Sequence, residues 1–225
     1  CFPTRRSSDL VLPPDVNSSG RDFTAVTGEG IRFGLAGIRG VGEGVVEGIT
    51  AARGGAPFTS LHDFCDRVDL KQLNKKTLEA LIKAGAFDST GYTRKHLVAV
   101  MESCVDSAMK RQKDRDSGQV SMFDMFGGDD NGFDEDVPPP NGDEWDKKMK
   151  LAFEKEMLGI YVSDHPLRDI EEMVREASDG SLAEELVAGQ VCWFAGILSA
   201  VTLKPTKKGP MMAIVELEDL DRSEE

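Results

Sequence analysis

Residues 31–53 read IRFGLAGIRGVGEGVVEGITAAR. Within them Ile38, Arg39, Gly40, Val41, Gly42, Glu43 and Gly44 set an apolar–x–Gly–apolar–Gly turn between helical elements. That pattern suits a helix-hairpin-helix. Its glycines let backbone pass close to a DNA phosphate, and the helix that follows offers unpaired N–H groups to the anion. Such a contact ignores base sequence, because phosphates position a protein and bases specify. A glycine-rich turn with a packing role is the competing reading, and the motif alone leaves both open. It is not a nucleotide P-loop, since no Gly-Lys-Ser/Thr follows.

Working outward, the helix after the turn begins at about Val45. It has Val45, Val46 and Ile49 on its apolar face and ends at Gly54 and Gly55. Ser60 opens a short helix, with Asp63 three residues on as in a capping box and Leu61 and Phe64 facing inward. Asn74 caps the next, in which Leu78, Leu81 and Ile82 fall at helical spacing and Gly85 is the stop. Thr93 caps a longer helix with Leu97, Val98, Met101, Cys104, Val105 and Ala108 on one stripe. Upstream, the Pro13-Pro14 pair makes residues 11–19 an extended lead-in. Two short strand-like runs follow, 23–26 and 31–35, around a Gly28-Glu29-Gly30 turn.

Downstream, residues 110–141 are polar, acidic, aperiodic and end in three prolines, so a disordered linker is expected there. A helix resumes at Glu144 with Trp145, Met149, Ala152 and Phe153 as its apolar residues and Gly159 as its end. His165-Pro166 is a turn, and residues 167–177 form a further helix. Residues 191–203 and 211–217 are β-rich around the basic turn 204–209, a hairpin that opens an all-β domain. Two strands cannot stabilise themselves, so Trp193, Val215 and Leu217 are expected to be under-covered. The fold class is mainly α with a β hairpin at each end.

The 225-residue chain has a net charge of −13, with 40% hydrophobic and 30% charged residues. The negative sign argues against a nucleic-acid partner until it is read by segment. Residues 31–98 hold ten Lys/Arg against seven Asp/Glu, a local +3, while residues 124–146 hold nine acids and no base. No apolar run approaches the ~20 residues that cross a bilayer, and no export signal is visible, so a cytoplasmic protein with no membrane partner is expected. The four cysteines form no Cys-x-x-Cys pair, and Cys65 and Cys104 read as core residues. His62, His96 and His165 are far apart in sequence. The acids of the linker suit solvation better than a rigid metal site. No catalytic residue, metal site or cofactor is assigned to this chain.

Two further candidates bind rather than react. Lys75 and Lys76 start the helix that Asn74 caps, and with Lys71 and Lys83 they could add phosphate contacts; a solvated helix face is the alternative. Gln119, Met122 and Phe123, in QVSMF, put a glutamine and two apolar anchors inside the acidic linker. An extended peptide can dock such anchors in an apolar pocket while the amide bonds at its rim. The alternative is a linker patch that packs back on its own domain.

The order of these stretches resembles one family. Residues 31–53, then 57–88 (PFTSLHDFCDRVDLKQLNKKTLEALIKAGAFD), then QVSMF, then 154–167 (EKEMLGIYVSDHPL) are similar to the bacterial family C α subunits of DNA polymerase III. The resemblance covers nearly everything after Leu10, while residues 2–10 resemble a translated sequencing adapter and residues 1–10 are expected to be a non-native tail. It implies the end of a fingers domain at 11–36 and a tandem helix-hairpin-helix domain at 37–110 that holds duplex DNA through Arg39, Gly40, Val41, Gly42, Gly44, Lys75 and Lys76. It implies an acidic linker at 111–143 whose Gln119, Met122 and Phe123 attach the sliding clamp. A helical segment at 144–180 and the start of a truncated OB-fold at 181–225 would complete the piece. Polymerase activity, with its Mg2+, would belong to the parent protein, whose catalytic aspartates lie upstream. Duplex DNA, the sliding clamp and other holoenzyme subunits are the implied partners. Fragments of the error-prone paralogue, a stand-alone helix-hairpin-helix adaptor and a purely structural interaction protein are the competing readings.

Overall fold

The computed structural model describes residues 11–70, 73–116, 142–178, 189, 191–206, 209 and 211–219. The chain divides into two compact units, one running to Ser163 and the other starting at Asp164.

The first unit opens with a three-stranded sheet: β1 (Val11–Leu12), β2 (Thr24–Val26) and β3 (Gly30–Arg32), in the order β1-β3-β2. The β2–β3 hairpin is the one the Gly28–Gly30 turn predicts, with Ala25 opposite Ile31. The lead-in is extended, as expected, but it also joins the sheet: Val11 and Leu12 pair in parallel with Ile31 and Arg32. The next residues also fold in. Val16 is fully buried and donates its N–H to the Ala86 carbonyl at 2.8 Å. The Asn17 side chain bonds both the N–H and the carbonyl of Phe58.

Five helices follow: α1 (Glu43–Arg53), α2 (Leu61–Arg67), α3 (Lys75–Lys83), α4 (Arg94–Asp116) and α5 (Lys147–Leu158). Their ends are set locally. The hydroxyl of Ser60 accepts the Asp63 N–H, and Asn74 accepts that of Thr77 at 2.8 Å. The capping box of α2 is displaced by one residue: Asp63 reaches back to the Thr59 N–H rather than to Ser60. Gly54 and Gly159 end α1 and α5 in the left-handed conformation. The core joins Phe33, Leu35 and Ile38 to Val45, Val46 and Ile49 of α1, Leu78, Leu81 and Ile82 of α3, and Leu97, Met101, Cys104, Val105 and Ala108 of α4. At its centre Phe64 meets Phe58 and Phe87 edge to face, with centroids 5.0 and 4.9 Å apart.

Two helices of the first unit depart from the sequence reading, and in the second unit the helix expected over 167–177 begins only at Glu171. α4 continues to Asp116, past the point where the linker was expected to begin. Its last turns carry no apolar stripe; instead Arg111 pairs with Asp66, and Gln112 donates to the Cys65 and Val68 carbonyls at the end of α2. The rest of the expected linker, residues 117–141, lies outside the described residues. α5 begins at Lys147 under an Asp146 cap, not at Glu144, and buries Leu151, Glu154 and Leu158. Met149 is exposed, whereas the Trp145 and Phe153 rings pack against each other, tilted at 59° with centroids 4.7 Å apart.

The second unit holds a 3-10 turn at Arg168–Ile170, α6 (Glu171–Ala177), and an antiparallel hairpin of β4 (Ile197–Pro205) and β5 (Met211–Glu218), with Val201 opposite Val215. The pairing shifts register between Leu198 and Ala200. The hairpin leaves Leu198, Val201, Leu203, Ile214 and Val215 exposed, and Trp193 is 73% exposed; Leu217 is half-buried.

Candidate nucleic-acid interface

The glycine turn before α1 is a surface hairpin on buried pins. Ile38 and Val41 are buried, while Arg39, Gly40, Gly42, Glu43 and Gly44 are exposed. Of the predicted contact residues, Val41 therefore anchors the turn rather than facing outward. The turn closes with the Val41 N–H on the Ile38 carbonyl at 3.1 Å. Gly40 sits at φ +83°, where only glycine is at ease. Gly42, the N-cap of α1, is different. Its φ of −83° suits any residue, and a Cβ built there meets nothing within 4 Å. Neither backbone strain nor a steric clash therefore asks for glycine at 42.

No side chain caps α1, unlike α2, α3 and α5, which Ser60, Asn74 and Asp146 cap. The opening of α1 thus offers N–H groups and the positive end of the helix dipole to solvent. Glu43, in that first turn, would repel an anion, but its carboxylate is engaged by Arg21.

The structure brings the second candidate to the first. Thr77, in the first turn of α3, donates its hydroxyl to the Gly40 carbonyl at 3.0 Å, placing the start of α3 beside the hairpin. Lys76 is exposed there. Lys75 is turned toward α4, where Glu102 and Asp106 hold it at 3.7 and 3.4 Å. Lys83 pairs with Glu79 at 2.7 Å and lies over the Phe153 ring, engaged away from the hairpin. Lys71 and the residues Gln119, Met122 and Phe123 lie outside the described residues.

Charged residues that the sequence reading left without a role hold this surface from behind. Arg94 and Glu154 are both buried and pair at 2.9 Å. Arg94 also makes a two-pronged bond to Asp88. Burial opposes its charge, but Asp88 and then Glu154 outweigh that and raise its pKa. Glu144 accepts the N–H groups of Arg94 and Lys95 at 3.0 and 3.1 Å and so caps α4 from a distant point in the chain. One sequence signal for Glu154 existed: Leu151, Glu154 and Leu158 are spaced three and four apart, which puts the glutamate on the buried stripe.

Cys65 and Cys104 are core thiols, as expected. Burial pushes their pKa values up to about 12 and about 11, which keeps them protonated and unreactive. Among the described residues no three His, Cys, Asp or Glu side chains converge on a metal site, and no helix is long and apolar enough to cross a membrane.

The family described as helix-hairpin-helix motif matches residues 10–97, which include the N-terminal sheet, the hairpin and α1 to α3. The chain is similar to the DNA polymerase III subunit alpha of Saccharopolyspora erythraea, 42% identical over 98% of this chain and 19% of that protein. It is likewise similar to that of Mycobacterium leprae, 42% identical over 96% of this chain and 18% of the relative. The subunit from Pseudomonas aeruginosa is 38% identical over 93% of this chain and 19% of its own length. Along nearly its whole length the chain is thus homologous to one segment of the DNA polymerase III α subunits, a segment that makes up about one fifth of the curated relatives it matches.

Proposed function

We propose that this chain is the part of a bacterial replicative polymerase that grips duplex DNA without reading its sequence. The exposed hairpin at 39–44 and the uncapped start of α1 would receive a backbone phosphate, with Lys76 adding charge from the start of α3. The observation that carries this reading is Gly42, an unobstructed glycine of ordinary φ at the N-cap of α1. The helix-hairpin-helix match over the same residues supports it, as does the local net of +3 in a chain of net −13. The parent's DNA-directed nucleotidyl transfer and its Mg2+ are assigned to other parts of the longer protein. The remaining assignments rest on the sequence: attachment of the sliding clamp by Gln119, Met122 and Phe123, contacts with other holoenzyme subunits, a cytoplasmic location, and β4–β5 as the opening strands of an OB-fold.

The test is Gly42→Val. Its backbone conformation accepts valine and no atom lies within 4 Å of a Cβ there, so the protein should still fold, at the modest cost of a less favoured N-cap residue, while the methyls block phosphate approach. Loss of one hydrogen bond to a charged group corresponds to roughly ten- to a hundredfold weaker binding. Fluorescence anisotropy on a mixed-sequence duplex across a salt series reads both the affinity and its electrostatic slope. Unchanged affinity in the folded variant would remove the hairpin from the interface.

A further inference from the structure

Two successive residues of the hairpin are held from two different helices. The Arg39 N–H donates to the Met157 carbonyl in the last turn of α5 at 2.8 Å, and the Gly40 carbonyl accepts the Thr77 hydroxyl of α3 at 3.0 Å. Carbonyls in the last turn of a helix have no partner within it, so the Met157 carbonyl is satisfied by the hairpin itself. The same two helices are joined again behind the surface. Arg94 donates to the Lys83 carbonyl at the far end of α3 at 3.3 Å, and to Glu154 of α5 at 2.9 Å. The second carboxylate oxygen of Glu154 accepts the N–H groups of Val162 and Ser163, at 3.3 and 3.0 Å, which folds the chain after α5 back onto the helix.

These bonds close a circuit from the hairpin through Thr77 and α3 to Arg94, then through Glu154 and α5 to Met157 and the hairpin again. We infer that Thr77 and Glu154 are positioning residues: they fix α3 and α5 relative to each other and so hold residues 39–42 in the shape that presents the start of α1. Apolar packing alone permits small slides between helices, because dispersion is non-directional. Hydrogen bonds to a buried carboxylate and from a hydroxyl permit far less. The inference rests on the reading of this hairpin as the duplex contact, and its test separates the two.

The full 225-residue chain is compared with Glu154→Gln, Thr77→Val and Thr77→Ser. Valine keeps the shape of Thr77 without its hydroxyl, and serine keeps the hydroxyl. Hydrogen exchange of the Arg39 amide, against the core amides of Phe64 and Cys65 as controls, reports the hairpin. Affinity for a fluorescein-labelled mixed-sequence DNA duplex reports the contact. Glu154→Gln and Thr77→Val should speed Arg39 exchange and weaken duplex binding by roughly two- to tenfold each, the equivalent of one hydrogen bond. The core amides should not change, and Thr77→Ser should behave as the parent. Should Glu154→Gln fail to fold, the Thr77 pair carries the test. Unchanged Arg39 exchange in Thr77→Val overturns the inference, as does faster exchange at unchanged duplex affinity. If the unsubstituted chain binds no duplex, the duplex reading fails by itself. Arg39 exchange then decides the positioning: faster exchange upholds it and unchanged exchange overturns it.

Discussion

Arg94→Met should be the most damaging single substitution behind the hairpin, and the structure sets its size. The Arg94 side chain is 2% exposed, Glu154 1% and Asp88 42%. Removing the guanidinium lets Asp88 return to water. Glu154 has no such route and keeps only the N–H groups of Val162 and Ser163. Deleting one partner of a buried ion pair costs about 3–5 kcal/mol, mostly the penalty of the charge left behind. In a chain of this length 1 kcal/mol moves the melting midpoint by about 2–4 °C, so a fall of roughly 6–20 °C is expected. Urea denaturation followed by far-ultraviolet circular dichroism measures the free-energy loss, and thermal unfolding followed the same way measures the fall in midpoint. The double substitution Arg94→Met with Glu154→Leu should be more stable than Arg94→Met alone, because it removes the stranded charge along with its partner. A loss of under about 1 kcal/mol in the single variant would refute the reasoning. So would a double variant that loses the sum of both single losses, since groups in contact should not add.

Two further outcomes follow from particular residues. Burial alone would raise the pKa of Glu144, but the N–H groups of Lys95, Trp145 and Arg94 and the charge of Lys150 outweigh it and hold the carboxyl below its ordinary value. Its folded pKa then lies under the unfolded ~4.3, so its stabilisation is complete above that pH and lost as the pH falls through the folded value. Glu144→Gln should therefore flatten the acid limb of a stability–pH curve measured by urea midpoints, and an unchanged limb would show that the cap on α4 contributes nothing. For the clamp reading, changing Met122 and Phe123 together to alanine should abolish binding to the sliding clamp in fluorescence anisotropy, since burying each contributes about 1.5–3 kcal/mol. Clamp affinity equal to the parent's would eliminate those residues as the attachment site and reopen the error-prone reading.

Much of the helical order was legible because its signals are local. Ser60, Asn74 and Thr93 each bond an N–H three residues on, and Gly54 and Gly159 stop helices by their own conformation. What the sequence hid was settled by distant partners. β1 is two residues long and finds its register against Ile31 and Arg32, twenty residues later; nothing in VLPPDV signals a strand. The last turns of α4 look like linker because no apolar residue marks them, yet Arg111 and Gln112 are held by α2. At the candidate interface, the hairpin glycines and the Lys75-Lys76 pair were visible as separate motifs. Their adjacency depends on Thr77 reaching Gly40. The engagement of Lys75 depends on acids of α4 that only packing could bring within reach.

Glu154 shows why the rest stayed unread. A glutamate on an apolar stripe has two meanings: it ends the stripe at solvent, or it is buried against a cation. Its cation, Arg94, lies 60 residues earlier, on the other side of residues 117–141. No helical period or cap connects them. The same separation gives the pair its physical sense. α4 ends at Asp116 and α5 begins only at Lys147, so α5 must dock in one register out of several that the apolar contacts of Leu151 and Leu158 would tolerate. Sliding α5 by one turn, ~5.4 Å, would keep most of the apolar contact but strand a carboxylate and a guanidinium in the core. A misdocked α5 would also withdraw the Met157 carbonyl from Arg39. The ion pair need add little net stability to be decisive, because it penalises the wrong registers far more than it rewards the right one.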